Sequence, residues 1–284
     1  MRTIAIVSPG AMGAALGRAW AAAGTRVVAT VRGRSDRTAA LATGLELLPD
    51  LEAVVAAVDL VVSICPPAAA DAVLRSVIEA ARATGSTPLL LDANAVSPDR
   101  VRGLADRAAA EGLDLVDGSV SGGPPEPDGD TMLYLSGTRA AEVARVPAVG
   151  LRRTVVGDGV GQASAVKMCT ASVYKGTTAV WVQALQTAAA LDVLAPVLAD
   201  LAEELPLQVE GAARRVAVAA AKSARFVDEM ESIAATQRSA GVSPELFDGM
   251  AAVYRRLSAT PLAALSPEEA RGLTDLREVL SRLT

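Results

Sequence analysis

The chain has no histidine, two cysteines and only three lysines among 284 residues. Without an imidazole, Ser-His-Asp hydrolysis and histidine-assisted hydride transfer are both excluded. Cys65 and Cys169 supply neither a disulfide framework nor metal-ligand spacing, so a zinc site would have to be built from carboxylates and these two thiols; no metal is expected. A long apolar run is also missing. The best stretch, from Gly176 to Leu191, is interrupted by Thr177, Thr178, Gln183, Gln186 and Thr187 and falls short of the ~20 apolar residues that span a bilayer. The N-terminus passes from Met1-Arg2-Thr3 directly into an apolar strand pattern, without the apolar length of a signal peptide. The expectation is a cytoplasmic protein with no membrane contact. A net charge of −5 likewise argues against nucleic acid as a partner.

The lysine deficit is informative because arginine is abundant. Of 27 basic residues all but Lys167, Lys175 and Lys222 are arginine. Arginine holds its proton under all ordinary conditions, whereas a desolvated lysine can release it, so the three survivors mark positions where a titratable or compact ammonium matters. The competing reading is three ordinary lysines on solvated helix faces.

The organisation is α/β. Residues 3–7 form an apolar strand, followed by the turn Ser8-Pro9-Gly10-Ala11-Met12-Gly13, a small-residue helix closed by Gly24, and a second strand at 26–31. This is the length of one βαβ unit. Further strands are predicted at 59–64, 88–91, 113–116, 131–135 and 154–156, separated by helices at 67–82 and 97–111 and by a Gly-Pro-rich loop at 121–130. From Gly161 the pattern turns helical, with one long helix over 163–191 that Gly176 interrupts without ending. Two domains are predicted, 1–160 built on a parallel sheet and 161–284 all-α.

The first turn has the logic of a pyrophosphate site. Glycines let the chain turn tightly and approach the phosphates, and the free N–H groups of the helix point at them. Ser8 holds the first glycine position, Gly10 and Gly13 the second and third, and the backbone of Ala11 and Met12 opens the helix. An acidic residue after the second strand would select NAD. Instead the chain reads Val31-Arg32-Gly33-Arg34-Ser35-Asp36-Arg37. Arg32, Arg34 and Ser35 suit a 2′-phosphate, with Asp36 counting the other way. The cofactor expected is NADP, with NADPH preferred over NADH.

Four more blocks follow in order: Ile64-Cys65-Pro66-Pro67, Asp92-Ala93-Asn94-Ala95-Val96-Ser97-Pro98, Asp117-Gly118-Ser119-Val120-Ser121-Gly122-Gly123-Pro124, and Gly157-Asp158-Gly159-Val160-Gly161-Gln162-Ala163-Ser164-Ala165-Val166-Lys167-Met168. With the turn at residues 8–13 they resemble the β-hydroxyacid dehydrogenase superfamily, which includes 6-phosphogluconate dehydrogenase and the imine reductases. The likeness runs motif by motif over residues 3–175. Beyond them it rests on helical character, similar to a branch with a phosphogluconate-dehydrogenase-like C-terminal domain.

The resemblance implies a Rossmann-type domain followed by a helical substrate and dimerisation domain, a homodimer, and a small anionic substrate. It also implies roles. Cys65 and Pro66 pass the nicotinamide ribose, Asn94 stands near the nicotinamide where a Ser-Thr pair is usual, and Ser121, Gly122 and Gly123 hold the substrate's anion. Lys167 is the general acid/base on the substrate oxygen. The pattern breaks at Ala171, where the family commonly has asparagine. Tyr174, near the face of Lys167, either replaces that contact or packs between domains. Lys175 either binds an anionic substrate or is exposed, and Arg225 is a further candidate from the helical half. The activity implied is NADPH-dependent hydride transfer with a carbonyl or hydroxy acid. Imine reduction is the alternative, although that branch usually lacks lysine at this position. Asn94 favours oxidative decarboxylation of a sugar acid, which the missing histidine and asparagine oppose. Ser8 and Ala171 would suit a nucleotide-binding module without catalysis.

Overall fold

The computed structural model describes residues 1–283. The chain divides into two compact units, Met1–Met168 and Cys169 onward. In the first, the elements run β1 (Thr3–Val7), α1 (Ala11–Ala22), β2 (Arg26–Ala29), α2 (Asp36–Leu41), β3 (Glu46–Leu47), α3 (Leu51–Ala56), β4 (Leu60–Ser63), α4 (Ala70–Thr84), β5 (Leu89–Asp92), α5 (Pro98–Ala109), β6 (Leu115–Ser121), β7 (Thr131–Ser136), α6 (Ala140–Ala144) and β8 (Leu151–Gly157). The eight strands form one sheet in the order β3-β2-β1-β4-β5-β6-β7-β8.

Both faces of this sheet are covered, which explains why its strands show no polar alternation. Along β1, Ile4 and Ile6 join Leu16, Trp20, Leu60 and Leu91 in one core, while Ala5 and Val7 join Val28, Val61, Leu74 and Leu90 in the other. Successive side chains of a strand point to opposite faces, so each strand feeds both cores.

Two details depart from the expected parallel sheet. The two-residue edge strand β3 was not anticipated; its pairing with β2 rests on Val28 and Ala29 alone, too short a segment to leave a pattern. In addition, β7 runs antiparallel to β6, with Gly118 opposite Leu135 and Val120 opposite Leu133. The connection, residues 122–130, is shorter than the dozen or so residues that a parallel crossover needs. The same pairing carries β6 on to Ser121, beyond the expected end at 116.

The helix α7 (Gln162–Ala190) follows the sheet. Its start is tied to β6 and β7 by buried polar groups. Asp117, with no exposed surface, accepts hydrogen bonds from the backbone N–H of Gly161 and Ser164, both 3.0 Å, and from the Ser164 hydroxyl at 2.6 Å. The Ser136 hydroxyl also donates to Asp117 and in turn accepts from the N–H of Ala163. Ser119 donates to the Ala163 carbonyl at 2.7 Å. A carboxylate at a helix N-terminus satisfies orphan N–H groups and sits favourably in the helix dipole. Because of these ties, the first turns of α7 belong to the sheet unit, and the division falls inside the helix rather than at its start.

The second unit comprises the rest of α7 with α8 (Leu194–Glu204), α9 (Pro206–Glu210), α10 (Ala212–Ala221), α11 (Ser223–Ser239), α12 (Glu245–Leu257), α13 (Pro267–Arg271) and α14 (Leu276–Ser281). Gly176 continues α7 because a Cβ there would meet Met250 Sδ at 3.2 Å and Phe247 Cε1 at 3.4 Å; it is a close approach of helices. Phe226 and Tyr254 stack edge to face, 5.2 Å apart, and the Tyr254 hydroxyl donates to the Lys175 carbonyl. Among the described residues no helix is long and apolar enough to cross a membrane.

Asp117→Ala would strip the acceptor from two buried backbone donors and two hydroxyls, each costing about 1–3 kcal/mol when left unsatisfied. Urea unfolding is expected to show a loss of at least about 3 kcal/mol. A loss below about 1 kcal/mol would contradict the anchoring role assigned to this carboxylate.

Candidate active site

The turn after β1 is built for a phosphate group. Ser8 sits at φ 67, in the left-handed region that glycine usually occupies, at a cost of about 1–2 kcal/mol for a side chain. Its hydroxyl oxygen is buried without a hydrogen-bond partner. The turn is closed by the Gly10 N–H donating to the Ser8 carbonyl at 2.7 Å. At Gly13 a Cβ would lie 2.9 Å from both Ile64 Cγ2 and the Ser8 carbonyl, so the third glycine is a packing requirement. A Cβ at Gly10 would meet nothing within 4 Å. The space before Gly10 is open, and no side chain caps the first N–H groups of α1 at Ala11 and Met12. Open space, uncapped donors and an orphaned hydroxyl converge there, and all three fit a dinucleotide pyrophosphate.

Beside this turn lies a cavity of about 430 Å³ lined by Ser8, Thr30, Arg32, Arg34 and Asp50, among others. Arg32 and Arg34 are exposed at its rim. Arg32 also faces Asp50 Oδ2 at 3.6 Å, while the other oxygen of Asp50 accepts the Ala53 N–H at the start of α3. Ser35 has a structural task as well: it caps α2, accepting the Thr38 N–H at 3.3 Å.

At the ends of β4 and β5 the structure builds a brace. The Asn94 side chain accepts the Cys65 N–H at 2.6 Å and donates to Asp92 at 2.7 Å and to Ser63 at 3.1 Å. Asn94, assigned to the nicotinamide by resemblance, thus spends both amide protons inside the protein and holds the Cys65-Pro66 loop in place. The Cys65 thiol is pushed up to about 11, chiefly by burial and then by Asp92, and is no nucleophile near neutrality. Asp92, 3% exposed, is raised to about 7, first by burial and further by Asp117, which Asn94 and Arg100 oppose.

Lys167 completes the arrangement. Its Nζ donates to the Val120 carbonyl at 2.7 Å, which places the half-buried ammonium at the peptide that joins Val120 to Ser121, where the loop of Gly122 and Gly123 begins. Gly122 has φ 105, a value only glycine adopts without strain, and the Gly123 carbonyl accepts the Thr131 hydroxyl at 2.9 Å. Lys167 and the strand end that leads into residues 121–123 are therefore brought together within one unit.

Residues 3–149 match the model of the NAD binding domain of 6-phosphogluconate dehydrogenase. The chain belongs to this family. It is an NAD(P)-dependent oxidoreductase. Residues 188–257 match a domain of unknown function, DUF1932. Similar solved structures include a conserved hypothetical protein from Sinorhizobium meliloti 1021, 27% identical with TM-score 0.70, covering 100% of this chain and 97% of that one. The 3-hydroxyisobutyrate dehydrogenase of Mycobacterium tuberculosis with L-serine is 20% identical, TM-score 0.68, covering 95% and 98%. An imine reductase variant from Myxococcus stipitatus with NAD+ is 22% identical, TM-score 0.56, covering 99% and 98%. No curated protein matches the sequence.

The remaining candidates lie in the second unit. Tyr174 is 71% exposed there. Lys175, expected to be exposed or to bind an anionic substrate, is half-buried in an ion pair with the buried Glu229, which also accepts from Arg225 at 2.8 Å. No periodicity announces this pair, because its members are far apart in sequence. Asp117, Ser119, Ser136 and Ser164 were likewise not singled out. Their signal was present only as polar residues inside otherwise apolar strands and a helix start.

In the unfolded chain Asp92 ionises near 3.8 and in the fold near 7. Between these values the folded state holds a proton that the unfolded state lacks, so this residue's contribution to stability is greatest at low pH and declines as pH rises to 7. Calorimetry of Asp92→Asn is expected to show the variant gaining on the wild type in melting temperature from about pH 5 to about pH 8. A difference that stays constant across that range would contradict the shifted carboxyl.

Proposed function

We propose that the protein is an NADPH-dependent oxidoreductase acting on a small carbonyl or hydroxy acid, with Lys167 as general acid/base. The observation carrying this reading is the placement of the Lys167 ammonium on the Val120 carbonyl, next to Ser121-Gly122-Gly123. A substrate carboxylate bound to the hydroxyl and N–H groups of that loop would put its neighbouring oxygen within reach of Lys167. The bound nicotinamide supplies the hydride donor or acceptor. The chain's residues then orient the substrate, hold its anion, and pass a proton between Nζ and the substrate oxygen. NADPH rather than NADH is favoured by Arg32 and Arg34 beside the cavity and by the absence of an acidic residue at the end of β2.

The test is NADPH oxidation across aldehyde acids, keto acids and cyclic imines, with NADH in parallel and Lys167→Met beside the wild type. Carbonyl-acid turnover with NADPH is expected, falling by about 10²–10⁴ in kcat in the variant. Imine turnover that survives the substitution would move the protein to the imine reductases and remove Lys167 from the chemistry. Intact NADPH binding without turnover of any compound would favour a module without catalysis.

The homodimer is proposed on an observation in α7 and the turn that follows it. Val173, Thr177, Val180, Ala184, Thr187 and Leu191 form an exposed, uncharged stripe with alternating spacings of four and three. Val173, Val180 and Leu191 are 64%, 56% and 66% exposed. Read backwards the stripe nearly repeats itself: an antiparallel copy sets Val173 against Leu191, Thr177 against Thr187 and Val180 against Ala184. Such a two-fold match selects a second copy of this chain as occupant. Light scattering on Val180→Glu is expected to report a monomer where the wild type is a dimer; an unchanged dimer would place the interface elsewhere.

A further inference from the structure

A second basic site lies wholly within the helical unit. Arg214 and Arg215 on α10, Arg271 at the end of α13 and Lys175 on α7 line a cavity of about 470 Å³ whose wall includes Phe226 and Thr178. None of the described residues lining it is acidic. Lys175 is neutralised by Glu229, which is 2% exposed and shares its other oxygen with Arg225. The three guanidinium groups have no such partner inside the cavity. The acid nearest Arg271 is Glu268, 4.0 Å away and 71% exposed, an arrangement worth little in water.

Arg215 is the sharpest case. One face of its guanidinium lies 5.5 Å from the centre of the Trp181 ring, and its Nη1 is buried with no hydrogen-bond partner. A buried, charged donor left unpaired is costly. The crowding extends to Lys222, between α10 and α11, whose pKa is lowered by burial and then by Arg225 and Arg271. Like charges gathered around a void repel one another and do nothing for folding, whereas an anion in the void would relieve the repulsion and complete the hydrogen bonding of Arg215. Guanidinium forks match phosphate oxygens two at a time. The cavity is also larger than a phosphate requires, and Phe226, Val218 and Ala219 offer an apolar surface for a body attached to it.

We propose that this cavity binds a small organic phosphate, its phosphoryl group held by Arg214, Arg215 and Arg271 and its apolar part against Phe226. The inference does not depend on the role given to Lys167. Phenyl phosphate is the probe, titrated by calorimetry at constant ionic strength, with benzoate as the carboxylate counterpart. The protein carries Arg32→Ala and Arg34→Ala, so that the arginines of the cofactor end do not contribute. One phenyl phosphate per chain is expected, with affinity falling at least about tenfold on adding Arg215→Gln, as for loss of a charged hydrogen bond, and less on adding Arg215→Lys, which keeps the charge. Arg255→Gln, at an exposed arginine paired with Glu231, should leave binding intact. Circular dichroism checks folding; if Arg215→Gln does not fold, Arg214→Gln with Arg271→Gln carries the same expectation. No binding, binding indifferent to these changes, or benzoate binding as tightly as phenyl phosphate would overturn the proposal.

Discussion

A single buried carboxylate sets the geometry on which the candidate active site depends. Asp117 stands on β6 with no exposure and gathers hydrogen bonds from the N-terminus of α7 and from Ser136 on β7. Removing a carboxylate from water is expensive unless its oxygens are satisfied by the protein. Here that requirement locks the helix start to the sheet. Lys167 follows within two turns, so its ammonium reaches Val120 on the same strand that supplies Asp117. One strand thus carries both the anchor of the lysine and the entrance to the loop at residues 122–130.

The neighbouring strands use polar groups similarly. Asp92 and Asp117 stand side by side in the register of β5 and β6, yet their environments differ. Asp117 is surrounded by donors. Asp92 has only the amide groups of Asn94, and burial dominates, raising it to about 7. The carboxyl–amide pair links β5 to the Cys65 loop after β4, so the ends of these two adjacent strands are joined by hydrogen bonds. The phosphate turn after β1 shows the same economy: Ser8 accepts a left-handed backbone and an unpartnered hydroxyl, and that strain lies where the N–H groups of α1 remain open.

In the helical unit, charge rather than strain is left uncompensated. Glu229 is the buried acid of this region and is divided between Lys175 and Arg225. The remaining arginines surround a cavity instead of an acid. Arg214 and Arg271 are exposed at the rim of that cavity, whereas Arg215 keeps a buried Nη1 without a partner, unlike the exposed Arg255, which pairs with Glu231.

The sequence by itself determined the alternation of strands and helices, the glycine turn after the first strand, the long helix and the rarity of lysine that marks Lys167, Lys175 and Lys222. These are local properties: a strand buried on both faces must be apolar throughout, and a turn that approaches a phosphate needs glycine at fixed offsets. It also carried the blocks of the 6-phosphogluconate dehydrogenase family in their order. Only tertiary structure decided what the polar residues in those blocks do. The Asn94 amide oxygen proved to hold the Cys65 N–H and Lys175 to be bound to Glu229, because these partners arrive from distant parts of the chain, while Ser35 caps α2 through the nearby Thr38. Hydrogen bonds and ion pairs act over a few ångströms, and which groups come that close is set by how elements pack, not by their spacing in the sequence.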